Sequence, residues 1–394
     1  LHTGPRGDES IEIFTFTVEN PIVVTSVDIS NFKSIKDLSL PLGSLNVLIS
    51  SNGAGKSNIL EAIAFGGAAS ADKLDHEFLF TRGVRPSTLV KSAFSEMDNS
   101  PINLVFVVDG KSYKYAIEED VNLPFKWYLP ETLKIEKALK RDFENSTDQF
   151  FKELAGNPEQ LESTLSKLSK DVFKTIYGNV ELDRFVIFSP EVNALRKLED
   201  EGQILPLGVR GEGLFNLLQI FYTNYGEATL EEIKEYLHLI EWFDDFEPVS
   251  DKVSGRKMLA VKDINMPGTL MNQNSVNEGF LFLLFYISLI VSKETPSFFA
   301  IDNIEAALHP RLCEELIRRL AVLAKKYNKQ LIITTHNPFI LDGLDLNDPE
   351  QKLFVVRRNS EGETIADAIK PVKNMKLSEA WMKGRIGSQP ETID

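Results

Sequence analysis

The stretch SSNGAGKSN, residues 50–58, constrains this chain most. It follows a short apolar run, LNVLIS (45–50), and a helical pattern runs on from Lys56 to Ala69. Strand, glycine-rich loop and helix therefore come in order. The spacing is that of the phosphate-binding loop G-x-x-x-x-G-K-[ST], except that Ser50 stands where the first glycine belongs. Gly53 and Gly55 let the backbone curl so that successive N–H groups, through Asn52 and Ala54, turn inward toward phosphate oxygens. Lys56 is placed to reach the β and γ phosphates, Ser57 to offer its hydroxyl to Mg²⁺, and the helix to aim its positive end at the anion. Serine is small, so the expectation at position 50 is a modest cost in loop geometry and a site that survives.

Three features of the second half suit the same site. SFFAID is an apolar strand ending in Asp302, a carboxylate that can hold Mg²⁺ through its shell. QLIITTHNP closes another apolar strand at His336, from where a side chain can touch a γ-phosphate. NSVNEGFLFLLFY (274–286) is a polar turn with Gly279 at the mouth of an apolar helix. Such a helix start can bind a phosphate presented by a second molecule, and a plain N-cap at Asn277 fits the residues equally.

Strands and helices alternate elsewhere too. Strands are expected in IEIFTFTV, IVVTSVDIS and RFVIFSP and at 297–302 and 331–335, with a hairpin around Asp109-Gly110. Helices are expected at 211–225, 229–241, 279–292 and 310–327, and the Lys/Glu-rich segment 131–178 reads as an exposed helical pair broken at GNPEQ. This pattern predicts an α/β P-loop core with a mixed or parallel sheet and a helical insertion. The expected division is a flexible or expression-derived end with a first strand (1–22), an N-terminal lobe with the phosphate loop (23–130), the helical insertion (131–260) and a C-terminal lobe (261–394).

Charge and composition limit the partners. A formal charge of −15 places any nucleic-acid contact in a local patch against an unfavourable mean field, so a protein partner is at least as natural. The single cysteine, Cys313, excludes a disulfide framework and suits a reducing cytoplasm. GFLFLLFYISLIV (279–291) is too short to span a membrane and reads as a core helix.

Together these motifs resemble the ABC-type ATPase heads of the SMC, RecF and OLD-like group. The likeness lies in VDISNFKSIKDLSL before LNVLISSNGAGKSNILEAI, and in AIDNIEAALHP with LIITTHNPFILDGL. More narrowly, NEGFLFLLFY, IDNIEAALHPRLCEELI, THNPFILDGLDL and AWMKGRIGSQP are similar to ATPases of bacterial anti-phage systems, of the Septu and retron-associated kinds. The resemblance implies ATP and Mg²⁺ as ligands. It implies that Ser50, Asn52, Gly53, Ala54, Gly55, Lys56, Ser57 and Asn58 form the nucleotide loop, with Lys33 and Ser34 near the nucleotide. Asp302 falls on the magnesium-associated carboxylate, Asn303 on the usual catalytic glutamate and His336 on the switch histidine. The AALHP segment around His309 falls on the loop that crosses the dimer interface. Asn277, Glu278 and Gly279 fall on the signature that closes over a partner's ATP, with Ser275 close by where the group carries serine at 277. The group's Q-loop glutamine has no counterpart between residues 80 and 120.

Asn303 can orient a water but cannot take its proton. If the chain stays extended beyond Asp302, positions 303 and 305 share a side, and Glu305 could stand in from about one two-residue repeat away. The expectation is ATP binding with slow or partner-triggered turnover. Two heads sandwiching ATP would form a homodimer or higher oligomer. An effector such as an HNH-type nuclease would come from another chain, with DNA or retron RNA/DNA reached through that complex and no membrane involved. The alternative is a RecF- or SMC-like repair ATPase that binds DNA directly. The helical pair is short and broken, which counts against a chromosome tether.

Overall fold

The computed structural model describes residues 23–85, 100–120, 126–145, 158–197, 206–250 and 257–386. The strand expected at IEIFTFTV and the GNPEQ break between the two polar helices lie wholly or partly outside them.

The central element is β3 (Leu45–Ile49), buried at all five residues. Its apolar run shows no alternation because both faces of its sheet are covered. The sheet has six strands in the order β14-β13-β3-β12-β11-β7. These are β7 (Ile187–Phe188), β11 (Phe298–Ile301), β12 (Gln330–Thr335), β13 (Gln351–Arg358) and β14 (Thr364–Ala368) around β3. All run parallel except β14, which pairs antiparallel with β13. The two faces separate by residue parity. Val47, Ile49, Phe299, Ile301 and Ile333 enter one core, while Leu48, Ala300, Ile332 and Phe354 enter the other.

One core lies under helix α1 (Lys56–Ser70) and a five-stranded antiparallel sheet, order β2-β1-β4-β5-β6. Its strands are β1 (Val24–Phe32), β2 (Ile35–Pro41), β4 (Ile102–Val108), β5 (Lys111–Glu119) and β6 (Trp127–Tyr128). The expected hairpin joins β4 to β5, with Asp109 and Gly110 at φ +48° and +78° as a tight turn of that hand requires. The other core is built on the helix Glu278–Val291, whose residues Phe280–Val291 are all buried. Among the described residues no helix is long and apolar enough to cross a membrane.

The helical part of 131–260 is narrower than the sequence suggested. Helices Pro130–Asn145 and Pro158–Tyr177 pack through Leu139, Phe143, Leu161 and Leu165. Beyond them β7 joins the main sheet, and β8 (Phe243–Ser250) and β9 (Lys257–Asp263) form an antiparallel sheet with β10 (Leu270–Met271). Helices Leu214–Ile220 and Glu227–Leu237 do lie between, joined by a π-helical turn at Phe221–Tyr225. The strand expected at RFVIFSP is present, shortened to the two residues of β7 and paired with β11. The sequence reading passed over β13 and β14.

Candidate phosphate and magnesium site

Parallel strands deliver the residues that come after them to one edge of the sheet. Here Ser50 follows β3, Asp302 follows β11, His336 follows β12 and Ser189 follows β7, with Ile49 in register with Thr335 and Ile301 with Phe188. The loop from Ser50 to Gly55 curls over this edge. Gly53 and Gly55 take φ +76° and +111°, left-handed values that suit glycine. Gly55 caps α1 without a side-chain bond, leaving the first N–H groups of the helix to an anion.

Lys56 is 5 % exposed, and its ammonium is held inside the loop. Nζ donates to Ser50 Oγ at 2.7 Å and lies 3.0 Å from His336 Nε2. His336 Nδ1 is 2.9 Å from the Ser50 carbonyl, which can only accept, so Nδ1 carries the proton and Nε2 accepts from Lys56. Burial pushes Lys56 down to about 8, against the opposing pull of Asp302 and Glu305. The serine that replaces glycine thus has a defined task. It is the hydrogen-bond acceptor for the loop's own lysine.

Ser57 Oγ is 3.4 Å from Asp302 Oδ2, and Thr334 Oγ1 donates to Asp302 Oδ1. A hydroxyl beside a carboxylate is a hard-oxygen pair, and no cluster of three His, Cys, Asp or Glu suited to a metal occurs among the described residues. That fits Mg²⁺, which takes one or two protein oxygens and completes its shell with water and phosphate. Ser57 and Asp302 would hold it, and bound there it would draw charge from the phosphate oxygens.

Asn303 leaves the strand. Its φ is +55°, its side chain is exposed, and its N–H donates to Thr334 Oγ1 at 2.9 Å. β11 ends at Ile301, so the extended geometry that would align 303 with 305 does not exist. Glu305 reaches the site by another route. The turn folds back, pinned by Tyr286 Oη donating to Ile304 O at 3.2 Å, and Glu305 Oε1 accepts from His336 N at 2.8 Å.

Lys33 and Ser34 divide. The Lys33 ammonium pairs with buried Glu61, which also accepts from Arg85 Nε at 2.6 Å. Ser34 Oγ accepts from Asn58 Nδ2 at 2.7 Å and lies 2.7 Å from Thr364 Oγ1, which donates to Ala54 O at 3.0 Å. The turn between β1 and β2, the phosphate loop and the β13–β14 hairpin are therefore one hydrogen-bonded unit. Arg358 Nε adds a bond to Gly53 O at 3.3 Å.

The 275–279 segment lies apart from this unit. Asn277 Oδ1 accepts from Phe280 N at 2.8 Å, a helix N-cap, and Ser275 Oγ donates to Asn272 Oδ1 at 3.2 Å. Among the described residues no hydrogen bond ties Ser275, Asn277, Glu278 or Gly279 to the phosphate loop. Gly279 packs instead against the turn after Glu305: a Cβ there would lie 3.3 Å from Ala307 O. Glu278 is exposed. His309 caps the helix Pro310–Lys326 through Nδ1.

Sequence reasoning missed Thr334, Thr364 and Glu61 at this site. It also sought a glutamine before residue 120, whereas the segment leaving β7 beside Asp302 is Ser189–Glu191 (Asp302 N to Phe188 O, 2.8 Å). A terminal strand next to the Asp302 strand was the only available signal.

A lysine-bearing phosphate loop facing Asp302 across the C-terminal edge of an α/β sheet defines a P-loop ATPase fold that resembles an SMC head domain. The chain belongs to the AAA domain family, whose model matches residues 26–249. A second model, described as AAA domain, putative AbiEii toxin, Type IV TA system, matches residues 261–342. These families imply nucleotide and Mg²⁺. An SMC head bound to the C-winged helix domain of ScpA is 16 % identical and covers 89 % of this chain and 99 % of that one, with a TM-score of 0.51. An SMC head with an extended coiled coil from Pyrococcus furiosus, bound to the C-terminal domain of ScpA, is 13 % identical (92 % and 99 % covered, TM-score 0.49). The SMC head domain from Thermotoga maritima is 16 % identical (88 % and 99 %, 0.44). At such identities the first of these establishes likeness of fold alone. No curated protein matches the chain by sequence.

Proposed function

We propose that this chain is a nucleotide-gated ATPase subunit. It binds ATP–Mg²⁺ at Lys56, Ser57 and Asp302, pairs with a second copy around the nucleotide, and hydrolyses it slowly. In this reading it governs an effector on another chain, of the HNH-nuclease kind, in an anti-phage defence complex. The observation that carries the nucleotide part is Lys56 held between Ser50 and His336, with Ser57 facing Asp302. Slow turnover is expected because Asn303, an amide on an exposed left-handed turn, cannot itself take the proton of a water and leaves that step to a residue further along the chain. The defence assignment is supported by the toxin-system description of the model matching 261–342 and by the narrow sequence resemblance. The exposed residues 275, 277 and 278 suit the face that would meet a partner's nucleotide.

A chain that keeps ATP for long periods behaves as a latch rather than a motor. Calorimetry with ATP and Mg²⁺ tests the foundation. Uptake by the wild type that Lys56→Ala abolishes is expected, and no uptake sinks the reading. Dimerisation on adding ATP, seen by light scattering, tests the gate.

The likeness of fold to SMC heads supports a second reading, a repair ATPase that binds DNA itself. The charge of −15 opposes it. Salt-sensitive DNA binding by the isolated protein would favour it.

A further inference from the structure

Among the described residues, Glu305 is the one carboxylate at this site whose second oxygen is unused. Oε1 accepts from the backbone N–H of His336 at 2.8 Å. Oε2 is buried and has no hydrogen-bond partner among the described residues. An orphaned buried acceptor is costly to keep and calls for a reason. Its surroundings supply one. Near it stand fully buried Tyr286 and buried Cys313, whose protons are made harder to lose first by burial and then by the Glu305 charge. The same charge acts on Lys56, the group aimed at the γ-phosphate. Glu305 therefore lies beside the residue that follows β12 and within electrostatic reach of Lys56, with one oxygen fixed and the other unclaimed.

The neighbouring residue offers none of this. Asn303 is exposed on a left-handed backbone, and its amide cannot accept a proton. The fold compensates by returning the chain. Thr334 bonds the N–H of Asn303, Tyr286 bonds the carbonyl of Ile304, and the N–H of His336 fixes Glu305 itself. Three contacts, two from the end of β12 and one from the helix Glu278–Val291, determine where one carboxylate sits, as a catalytic group requires.

We infer that Glu305 is the catalytic base of ATP hydrolysis in this protein, in place of the residue directly after Asp302. The inference rests on the ATP reading above. In the step, the oxygen of a water forms a bond to the γ-phosphorus as the bond from that phosphorus to the β,γ-bridging oxygen breaks. ADP leaves with the electron pair. The proton of the water passes to the Glu305 carboxylate and then to the phosphate product or solvent. The Lys56 ammonium, released from Ser50, offsets the charge on the γ-phosphate oxygens.

Single-turnover hydrolysis with protein in excess, alongside calorimetric ATP affinity for each variant, tests it. Glu305→Gln keeps an oxygen for the His336 N–H and removes only the base. It is expected to lower the rate about a hundredfold while the Kd for ATP stays within about threefold. If the glutamine variant does not fold, Glu305→Asp decides the point: its carboxylate, withdrawn by one methylene, should lose about a hundredfold. A wild-type rate in whichever variant folds overturns the inference. So does a collapse on Asn303→Ala with Glu305→Gln unaffected, or a wild type that binds ATP and never cleaves it. Each of these leaves ATP gating standing, whereas failure of the wild type to bind ATP removes the proposed function first.

Discussion

Ser50 departs from the glycine pattern, and its hydroxyl does work that glycine cannot. Lys56 gives that hydroxyl a hydrogen bond which it must exchange for one to phosphate. In Ser50→Gly the ammonium keeps only His336, so less is lost when ATP arrives. One such bond has a net value of about 1 kcal/mol, so the ATP Kd should tighten roughly threefold to tenfold, read by calorimetry. Weaker binding would mean that Ser50 itself contacts the nucleotide. Gly55 permits no comparable freedom. Its φ of +111° is joined by a steric limit, since a Cβ would meet Thr364 Oγ1 at 2.1 Å. Gly55→Ala is therefore expected to abolish ATP binding and to lower stability by about 1–3 kcal/mol, measured by urea unfolding. Glu305 marks the limit of reading by periodicity. The alternation argument assumed a strand through position 305, and a single asparagine in the left-handed region cancelled it. Asparagine is among the few residues that accept that conformation readily. The signal was present in the residue type but invisible to a period-two pattern.

Among elements, the β13–β14 hairpin carries a task its sequence did not declare. Thr364 links Ala54 O and Ser34 Oγ, so Thr364→Val keeps the shape and removes both links. Leaving the Ala54 carbonyl and Ser34 short of partners should destabilise the protein by about 1–3 kcal/mol and weaken ATP binding. Thermal melting with and without ATP reads both effects, and an unchanged melting temperature in both states would refute the bracing role. Helix α1, by contrast, was legible from end to end. Its glycine-rich opening and apolar body are contiguous, so the phosphate loop could be read in one stretch. The hairpin could not, because β13 owes its place to pairing with β3, some three hundred residues earlier, and nothing local announces that partner. Thr334 and Thr364 escaped for the same reason: a hydroxyl inside a strand acquires a role only from the groups the fold sets opposite it. β8 and the start of β9 fall within the expected helical insertion and went unforeseen, because each strand owes its place to pairing with the other.

At the scale of the whole molecule, two cores meet across one sheet, and a buried lysine stands at the end of that sheet away from the nucleotide. Lys329 donates to the Thr295 and Pro296 carbonyls and to Thr295 Oγ1, and burial pushes it down to about 7. Between about pH 7 and its ordinary value near 10.5 the unfolded chain binds more protons than the folded one, so stability from this group rises with pH. Below pH 7 both states carry the proton and the burden is fully present. Urea unfolding from pH 6.5 to 9 should give wild type a steeper rise than Lys329→Met, by up to about 1.4 kcal/mol per pH unit. Parallel curves would mean that the ammonium keeps its charge in the folded state.

The pairing of β3 with both β12 and β13 also dictates when the protein can first work during its own synthesis. The phosphate loop emerges first, but its neighbours on either side, and the threonine that clamps it, are made roughly three hundred residues later. At about 5–20 residues per second, the ribosome needs on the order of tens of seconds to supply them. A nascent chain that stops short of them carries the motif without the grip, so no copy can lock onto nucleotide before β12, β13 and Thr364 have been translated.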